Sequence, residues 1–340
     1  METLPFTTIK GTPSEIGEAL GRLAQPVMRD LAQSSTWQAL QPWRGHAHVK
    51  RMMAAMREAL PDCWAELEGM ARGIGMDVTD LFLWNCRTDL LEDTPDSSVS
   101  IAINRLANGM LGHCVSGDAV LAGHCHIVDI TPHGKPGFIG FYYPGTLPGL
   151  TFAASRAGLV QVTDVLHVPP GDGGLPGFAL CRTMLDATSL PDAIEVLVEN
   201  PRAGGLHQIT GWAGEFIMAS VEATPHSRSL TPIARNYGHA NHAIHEGTPK
   251  TAAPDASRRR QARVSDLLAS LPDYPDEDDL FRLLSDDELW VERDPGSAQE
   301  SEETRLANAV IRFTPHELML LISIPGNSSP QRYKLPIARQ

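Results

Sequence analysis

Apolar and polar positions recur with two different periods along this chain, and the change of period marks its organisation. In TPSEIGEALGRLAQPVMRDLAQ, residues 12–33, Ile16, Leu20, Leu23 and Met28 fall roughly on one helical face, with Thr12 and Ser14 as capping residues. Pro26 interrupts the pattern and predicts a kink or a break. Residues 48–75, HVKRMMAAMREALPDCWAELEGMARGIG, continue in the same style and close on glycines that suit a helix end. The first ninety residues therefore read as helical.

From Ser98 the period becomes two. Val99, Ile101 and Ile103 alternate with Ser98, Ser100 and Ala102, which describes a strand with two unlike faces. ANG at 107–109 offers a turn into MLGHCV, so this stretch reads as a hairpin. AVLAGHCHIVDI, GFIGFYY, GLTFAA and GLVQVTDVL follow as short strands, the last two joined by SRAG. Helices return at PGFALCRTMLDA and at SLPDAIEVLVEN, where Ser189 caps and Pro191 sits in the first turn. ITGWAGEFIMASVEA reads as strand, turn, strand. ASRRRQARVSDLLASL and DEDDLFRLLSDDELW read as helices, and NAVIRFTPHELMLLISI as a final hairpin. Blocks of antiparallel strands alternate with helical pairs and no Pro/Ser-rich linker divides them. The expectation is one layered α+β domain.

Composition narrows the function classes. The chain has 340 residues, 42% of them apolar and 20% charged, as in a globular protein. A formal net charge of −13 argues against a nucleic-acid partner and against docking on anionic membranes. METLPFTTIKGTP carries no targeting pattern and no apolar run approaches a membrane span. Five cysteines, Cys63, Cys86, Cys114, Cys125 and Cys181, suit reduced thiols better than a disulfide framework, so the expected location is the cytoplasm.

Amide-cleaving chemistry needs a nucleophile, a base for its proton and donors for the developing oxyanion. A Ser, Thr or Cys at a chain terminus can use its own α-amine as base, since that group has a pKa of about 8. An internal residue reaches that state only when the peptide bond before it is cut. Several segments of this chain resemble the acyl-coenzyme A:6-aminopenicillanic acid acyltransferase-like family of N-terminal nucleophile hydrolases. FTTIKGTPSEIGEALGRL resembles the family's opening motif and WNCRTDL its segment before the cleavage point. DSSVSIA stands where members have Asp-Gly-Cys-Thr-Ser-Ile-Ala, and GHCVSGD where they have Gly-His-Asn-Glu-Asp-Gly. YYPGTLPG, SRAGLVQVTDVL, YGHANHAIH and ETRLANAVI follow in the family's order.

The resemblance implies an αββα sandwich of the N-terminal nucleophile hydrolase type, with two antiparallel sheets between helix layers. It divides the chain into a helical pro-segment, residues 1–97, and a core, residues 98–340, within one integrated domain. It places Ser98 on the nucleophile, with cleavage between Ser97 and Ser98, and Asn241 on the oxyanion donor. Thr304 and Arg305 fall on a polar pair near the nucleophile, and Ser100 on a small hydroxyl residue two places on, on the face that strand alternation gives Ser98. His113, Cys114, Ser116, Tyr143, Asp164 and His239 are the candidate substrate-binding residues. The implied partner is a small-molecule substrate, with a homodimer as an option, and no cofactor is implied.

The chain departs from the family at the site itself. The cysteine is Ser98, and a hydroxyl is the poorer nucleophile at neutral pH. The glycine before it is Ser97, which removes backbone freedom. Cys114 and Ser116 replace an asparagine and an aspartate, so a carboxylate is missing unless Asp118 or Asp129 stands in. Two readings follow: an amidohydrolase or acyltransferase acting on a small amide, thioester or peptide-like metabolite, or an uncleaved relative that binds a small molecule or runs another reaction in the same pocket.

Other motifs carry less. His113, Cys114, His124, Cys125, His126, His239, His242 and His245 invite a metal, but alternation on a strand keeps His124, Cys125 and His126 from meeting at one ion, and no metal site is assigned. SRRRQAR at 257–263 reads as a solvated helix face. GDGGLPG at 171–177 lacks the context of a dinucleotide loop and reads as a flexible loop beside the pocket.

Overall fold

The computed structural model describes residues 3–91, 94, 96–105, 108–215, 217–249, 254–290, 303–327 and 329–337. Strand β1 (Phe6–Gly11) leads into helices α1 (Pro13–Leu31), α2 (Ser35–Leu40), α3 (Ala47–Ala59), α4 (Pro61–Ile74), α5 (Val78–Asn85) and α6 (Arg87–Leu90). Six strands follow: β2 (Ser98–Arg105), β3 (Asn108–Asp118), β4 (His126–Pro132), β5 (Phe138–Tyr142), β6 (Phe152–Ser155) and β7 (Leu159–Leu166). Helices α7 (Gly177–Met184) and α8 (Leu190–Val198) precede β8 (Gly205–Trp212), β9 (Met218–Ala223), β10 (Arg228–Ile233) and β11 (Asn236–His239). The chain closes with α9 (Asp255–Ala269), α10 (Glu277–Leu284), β12 (Glu303–Phe313), β13 (Leu318–Ser323) and β14 (Gln331–Leu335).

Among the described residues the strands form two sheets. One runs β1-β4-β5-β6-β7-β8-β9-β10 and the other β11-β2-β3-β12-β13-β14. β7 and β8 lie against β2 and β3, so the sheets stack face to face. Helix α1 packs on β1 and β4 at one side, and α9 and α10 pack on β11, β3 and β12 at the other. This is the αββα arrangement, with one refinement: β1 pairs with β4 in parallel, Phe6 opposite Ile127. No helix of the described residues is long and apolar enough to cross a membrane.

Alternation along β2 explains the two cores. Val99, Ile101 and Ile103 join Cys114, Val264, Leu280 and Leu284 beneath α9 and α10, while Ala102 packs with Leu111 and Phe152 between the sheets. Ser98 and Ser100 share the Ala102 face, so their hydroxyls are turned into the space between the sheets.

Three expectations change. Residues 6–11 are a strand rather than helix, because the short run FTTIKG finds an open edge at β4. Pro26 does not break α1, which is continuous from Pro13 to Leu31; Pro26 is exposed, so water can solvate the carbonyl that loses its partner. Loop 171–177 is pinned by the Gly171 N–H on Ala203 O at 2.8 Å and the Leu175 N–H on Pro201 O at 2.8 Å. Elsewhere local chemistry acts as the sequence indicates. Thr12 and Glu15 form a capping box at α1, and the Ser189 hydroxyl accepts the Asp192 N–H at α8.

Candidate active site

Ser98 opens β2, and its register partner on β3 is Val115. Its Oγ donates to Asp164 Oδ1 at 2.6 Å, and its N–H donates to Asn241 Oδ1 at 3.1 Å. The Asn241 amide Nδ2 donates to Ser98 Oγ at 3.2 Å and to Val165 O at 3.2 Å. Arg260 Nη2 also donates to Asn241 Oδ1, at 2.8 Å. Two donors on Oδ1 fix which end of the carboxamide is oxygen, and so aim the N–H end at Ser98. Arg260 is buried, which corrects the solvated-face reading of SRRRQAR at that position.

Asp164 comes from β7, whose register sets it opposite His207 of β8. His207 Nδ1 donates to Asp164 Oδ2 at 2.9 Å. His239 ends β11 opposite Ser100, and its Nδ1 faces the same Oδ2 at 3.4 Å, an ion-pair contact rather than an aligned hydrogen bond. Both imidazoles are held from behind. His207 Nε2 meets Ser220 Oγ at 2.8 Å, and His239 Nε2 meets Glu222 Oε1 at 3.0 Å. Ser220 Oγ in turn contacts Tyr237 Oη and His245 Nε2, each at 2.9 Å.

The electrostatics of this buried group are set by its contacts. Burial would raise the Asp164 carboxyl, but the hydrogen bond from His207 and the close imidazole of His239 outweigh it and hold Asp164 well below the usual carboxylate range. Burial alone would lower His239; its two carboxylate partners, Asp164 and Glu222, reverse that and raise it. Burial and the charge of His239 push His207 down to about 3. His239 thus sits between two carboxylates that favour its charged form, with its ring stacked on that of His207 at 3.4 Å.

Potential ligand atoms of Asp164, His207 and His239 lie within 4.8 Å of one another. A shared metal ion would need both imidazole lone pairs to converge in their ring planes. Rings stacked at 3.4 Å and 14° from parallel do not aim at a common point. Of the rest of the histidine and cysteine set, His245 reaches this cluster through Ser220 and Glu222, while His126 and His242 are held elsewhere. His126 meets Thr7 and His242 meets Ser257. Neither His124 nor Cys125 is on a strand, since β4 begins at His126, and all five cysteines are free and buried.

The peptide bond before Ser98 has its own surroundings. The Ser97 carbonyl oxygen accepts the Ser116 N–H at 3.0 Å, and the Ser116 hydroxyl lies 3.0 Å from the same oxygen. Glu303 accepts the Ser97 N–H at 3.1 Å and also meets the Ser116 hydroxyl. Tyr143 Oη donates to Ser116 O at 2.8 Å. The carboxylates closest to Ser98 and to the peptide bond before it are therefore Asp164 and Glu303. Asp118 instead caps the turn at Val120, and Asp129 pairs with Arg156.

The remaining candidates divide by strand face. Ser100 meets His113 Nδ1 at 3.0 Å on the Ser98 face, and burial lowers His113 to about 4. Cys114 points the other way, into the core under α9 and α10, because it pairs with Val99 rather than Ser98. Arg305 lies opposite Ser116 on β12, with its guanidinium 3.9 Å from the Trp290 ring centre. With Thr304 it lines a half-open cavity that also includes Leu4, Cys125 and Ile324. Sequence reasoning missed His207, Glu222, Ser220, Arg260 and Glu303. A signal existed for His207: like Asp164, it is an ionisable residue inside an otherwise mostly apolar strand.

A model of the acyl-coenzyme A:6-aminopenicillanic acid acyl-transferase family matches residues 107–325. No curated protein matches the chain.

Proposed function

The chain belongs to the acyl-coenzyme A:6-aminopenicillanic acid acyl-transferase family, and on that premise we propose that it is a serine amidohydrolase or acyltransferase that cuts itself between Ser97 and Ser98. Its substrate is a small amide, thioester or peptide-like metabolite. The observation that carries this reading is the setting of Ser98: a hydroxyl 2.6 Å from a carboxylate and 3.2 Å from an amide donor, at the first residue of a strand.

In turnover the freed Ser98 α-amine takes the hydroxyl proton while Oγ attacks the substrate carbonyl. Asn241 Nδ2 donates to the oxyanion, and Asn241 Oδ1 continues to hold the amine. The leaving group departs with the proton, and the acyl ester on Ser98 passes to water or to an amine. Residues 1–97 stay associated as a pro-segment, a proposal supported by β1 pairing with β4 at the edge of the larger sheet.

Intact mass under denaturing conditions tests the reading on wild type and Ser98→Ala. Two fragments, 1–97 and 98–340, from wild type alone support it. A single full-length mass in both overturns it and favours the uncleaved, ligand-binding alternative.

A further inference from the structure

Before the cut, Ser98 has no α-amine. Its nitrogen is an amide whose N–H is given to Asn241 Oδ1, so the group that serves as base in turnover cannot serve in self-cleavage. Another acceptor must take the hydroxyl proton, and it must lie within hydrogen-bond reach. The Ser98 hydroxyl donates to Asp164 Oδ1 at 2.6 Å. Asn241 Nδ2, its other polar neighbour, is a donor. The opposite oxygen of the carboxylate is fixed by His207 at 2.9 Å and faces His239 at 3.4 Å. Those rings are braced by Ser220 and Glu222, so the carboxylate cannot easily turn away from Ser98. Across the peptide bond, the Ser116 N–H already donates to the Ser97 carbonyl oxygen.

We propose that Asp164 is the catalytic base of the chain-cutting step, held towards Ser98 by the His207–His239–Glu222 group; this rests on the self-processing reading above. Ser98 Oγ gives its proton to Asp164 Oδ1 and bonds to the Ser97 carbonyl carbon. The C=O electron pair moves onto the oxygen, beside the Ser116 N–H. As that pair returns, the bond from the carbon to Ser98 N breaks and the proton passes from Asp164 to the nitrogen. An ester on Oγ and a free amine result. Water then adds its oxygen to the ester carbon and a proton to the departing Oγ, giving the Ser97 carboxylic acid and the hydroxyl. Asp164 ends unprotonated, as it began.

The arrangement also explains how this chain could do without the carboxylate of its family's segment before β4. The acid comes instead from β7, in the facing sheet, and reaches the same hydroxyl from across the sandwich.

The test follows the fraction of full-length chain cut with time, by intact mass, in wild type, Ser98→Ala, Asp164→Asn and Asp164→Ala. Wild type is expected to be cut and Ser98→Ala not. Asp164→Asn is expected to be cut about 100-fold more slowly or worse, the scale of a lost general base, while melting as a folded protein. Formate added to Asp164→Ala is expected to restore cutting, which a merely structural role would not allow. Should the uncharged variants fail to fold, Asp164→Glu decides, with cutting at least about tenfold below wild type expected of a displaced base. Cutting of Asp164→Asn or Asp164→Glu at the wild-type rate, or a folded Asp164→Ala that formate does not rescue, overturns the assignment while leaving self-processing intact. Wild type that is never cut overturns the processing reading itself, and this inference with it.

Discussion

Asn241 holds Ser98 by both ends of one carboxamide: Oδ1 accepts the Ser98 N–H at 3.1 Å and Nδ2 donates to the Ser98 Oγ at 3.2 Å. A single side chain thus positions both the Ser98 nitrogen and the Ser98 hydroxyl, which in the proposed mechanism are the future amine and the nucleophile. Arg260 keeps that carboxamide from rotating. Asn241→Asp retains the acceptor but loses the donor. On chains already cut, it is expected to slow acylation of Ser98 by an activated ester about 100- to 1,000-fold, the usual loss for one oxyanion donor. The mass gain on the 98–340 fragment with time measures it.

Helices α1 and α4 approach each other through glycine. A Cβ on Gly17 would stand 1.8 Å from Glu66 O and 2.8 Å from Met70 N. In an isolated helix Gly→Ala stabilises by about 1 kcal/mol, so the sign discriminates. Gly17→Ala is expected to destabilise by about 3 kcal/mol through forced separation of the helices. Gly112→Ala, on strand β3, where the added carbon meets only side-chain atoms of Leu280, Leu284 and Ile101 at 3.4–3.5 Å, is the roomier comparison and should change little. Urea unfolding of both variants gives the comparison.

Arg182 of α7 and Glu66 of α4 form a buried ion pair, with Nη2 3.0 Å from Oε2. Arg182 also reaches Asp186 at 3.0 Å, so removing Glu66 leaves one partner of two. Glu66→Ala is expected to cost about 3 kcal/mol, near the low end for a broken buried pair. Glu66→Met combined with Arg182→Met should recover much of that loss, because the desolvation penalty disappears with the charges. A double-mutant cycle in urea measures the coupling.

Asp89 supplies a pH test. Its buried carboxyl is raised from 3.8 to about 7, by burial first and against the N–H of Gly177. The fold therefore favours the protonated acid. Its contribution to stability is full below about pH 4, falls as pH rises, and is gone above about pH 7. The buried neutral imidazoles of His113 and His207 act in the opposite sense, so the difference from a variant isolates Asp89. Asp89→Asn stays neutral throughout. Wild type minus variant should fall by a few kcal/mol in unfolding free energy between pH 4 and pH 7; a flat difference would sink the assignment.

Much of the architecture was legible in the sequence because local patterning and the fold agree. The alternation from Ser98 to Ile103 determines that one face of β2 is apolar and the other carries hydroxyls. Thr12–Glu15 and Ser189–Asp192 mark helix starts that need no distant partner. The ordered motifs placed Ser98 and Asn241, which the fold brings into contact across 143 positions of sequence.

What the sequence could not decide was which residues share a face once strands from different parts of the chain are laid side by side. Cys114 sits among the motif residues, yet pairing with Val99 turns it into the opposite core. Asp164 lies 66 positions from Ser98 and in the other sheet, and only stacking of the two sheets makes it the hydroxyl's acceptor. FTTIKG became a strand because an edge at β4 was free to pair with it. Local periodicity is a property of consecutive residues, whereas the carboxylate, the two imidazoles and the amide around Ser98 come from three strands and a loop. Their meeting is set by register and sheet packing, which short-range pattern does not encode.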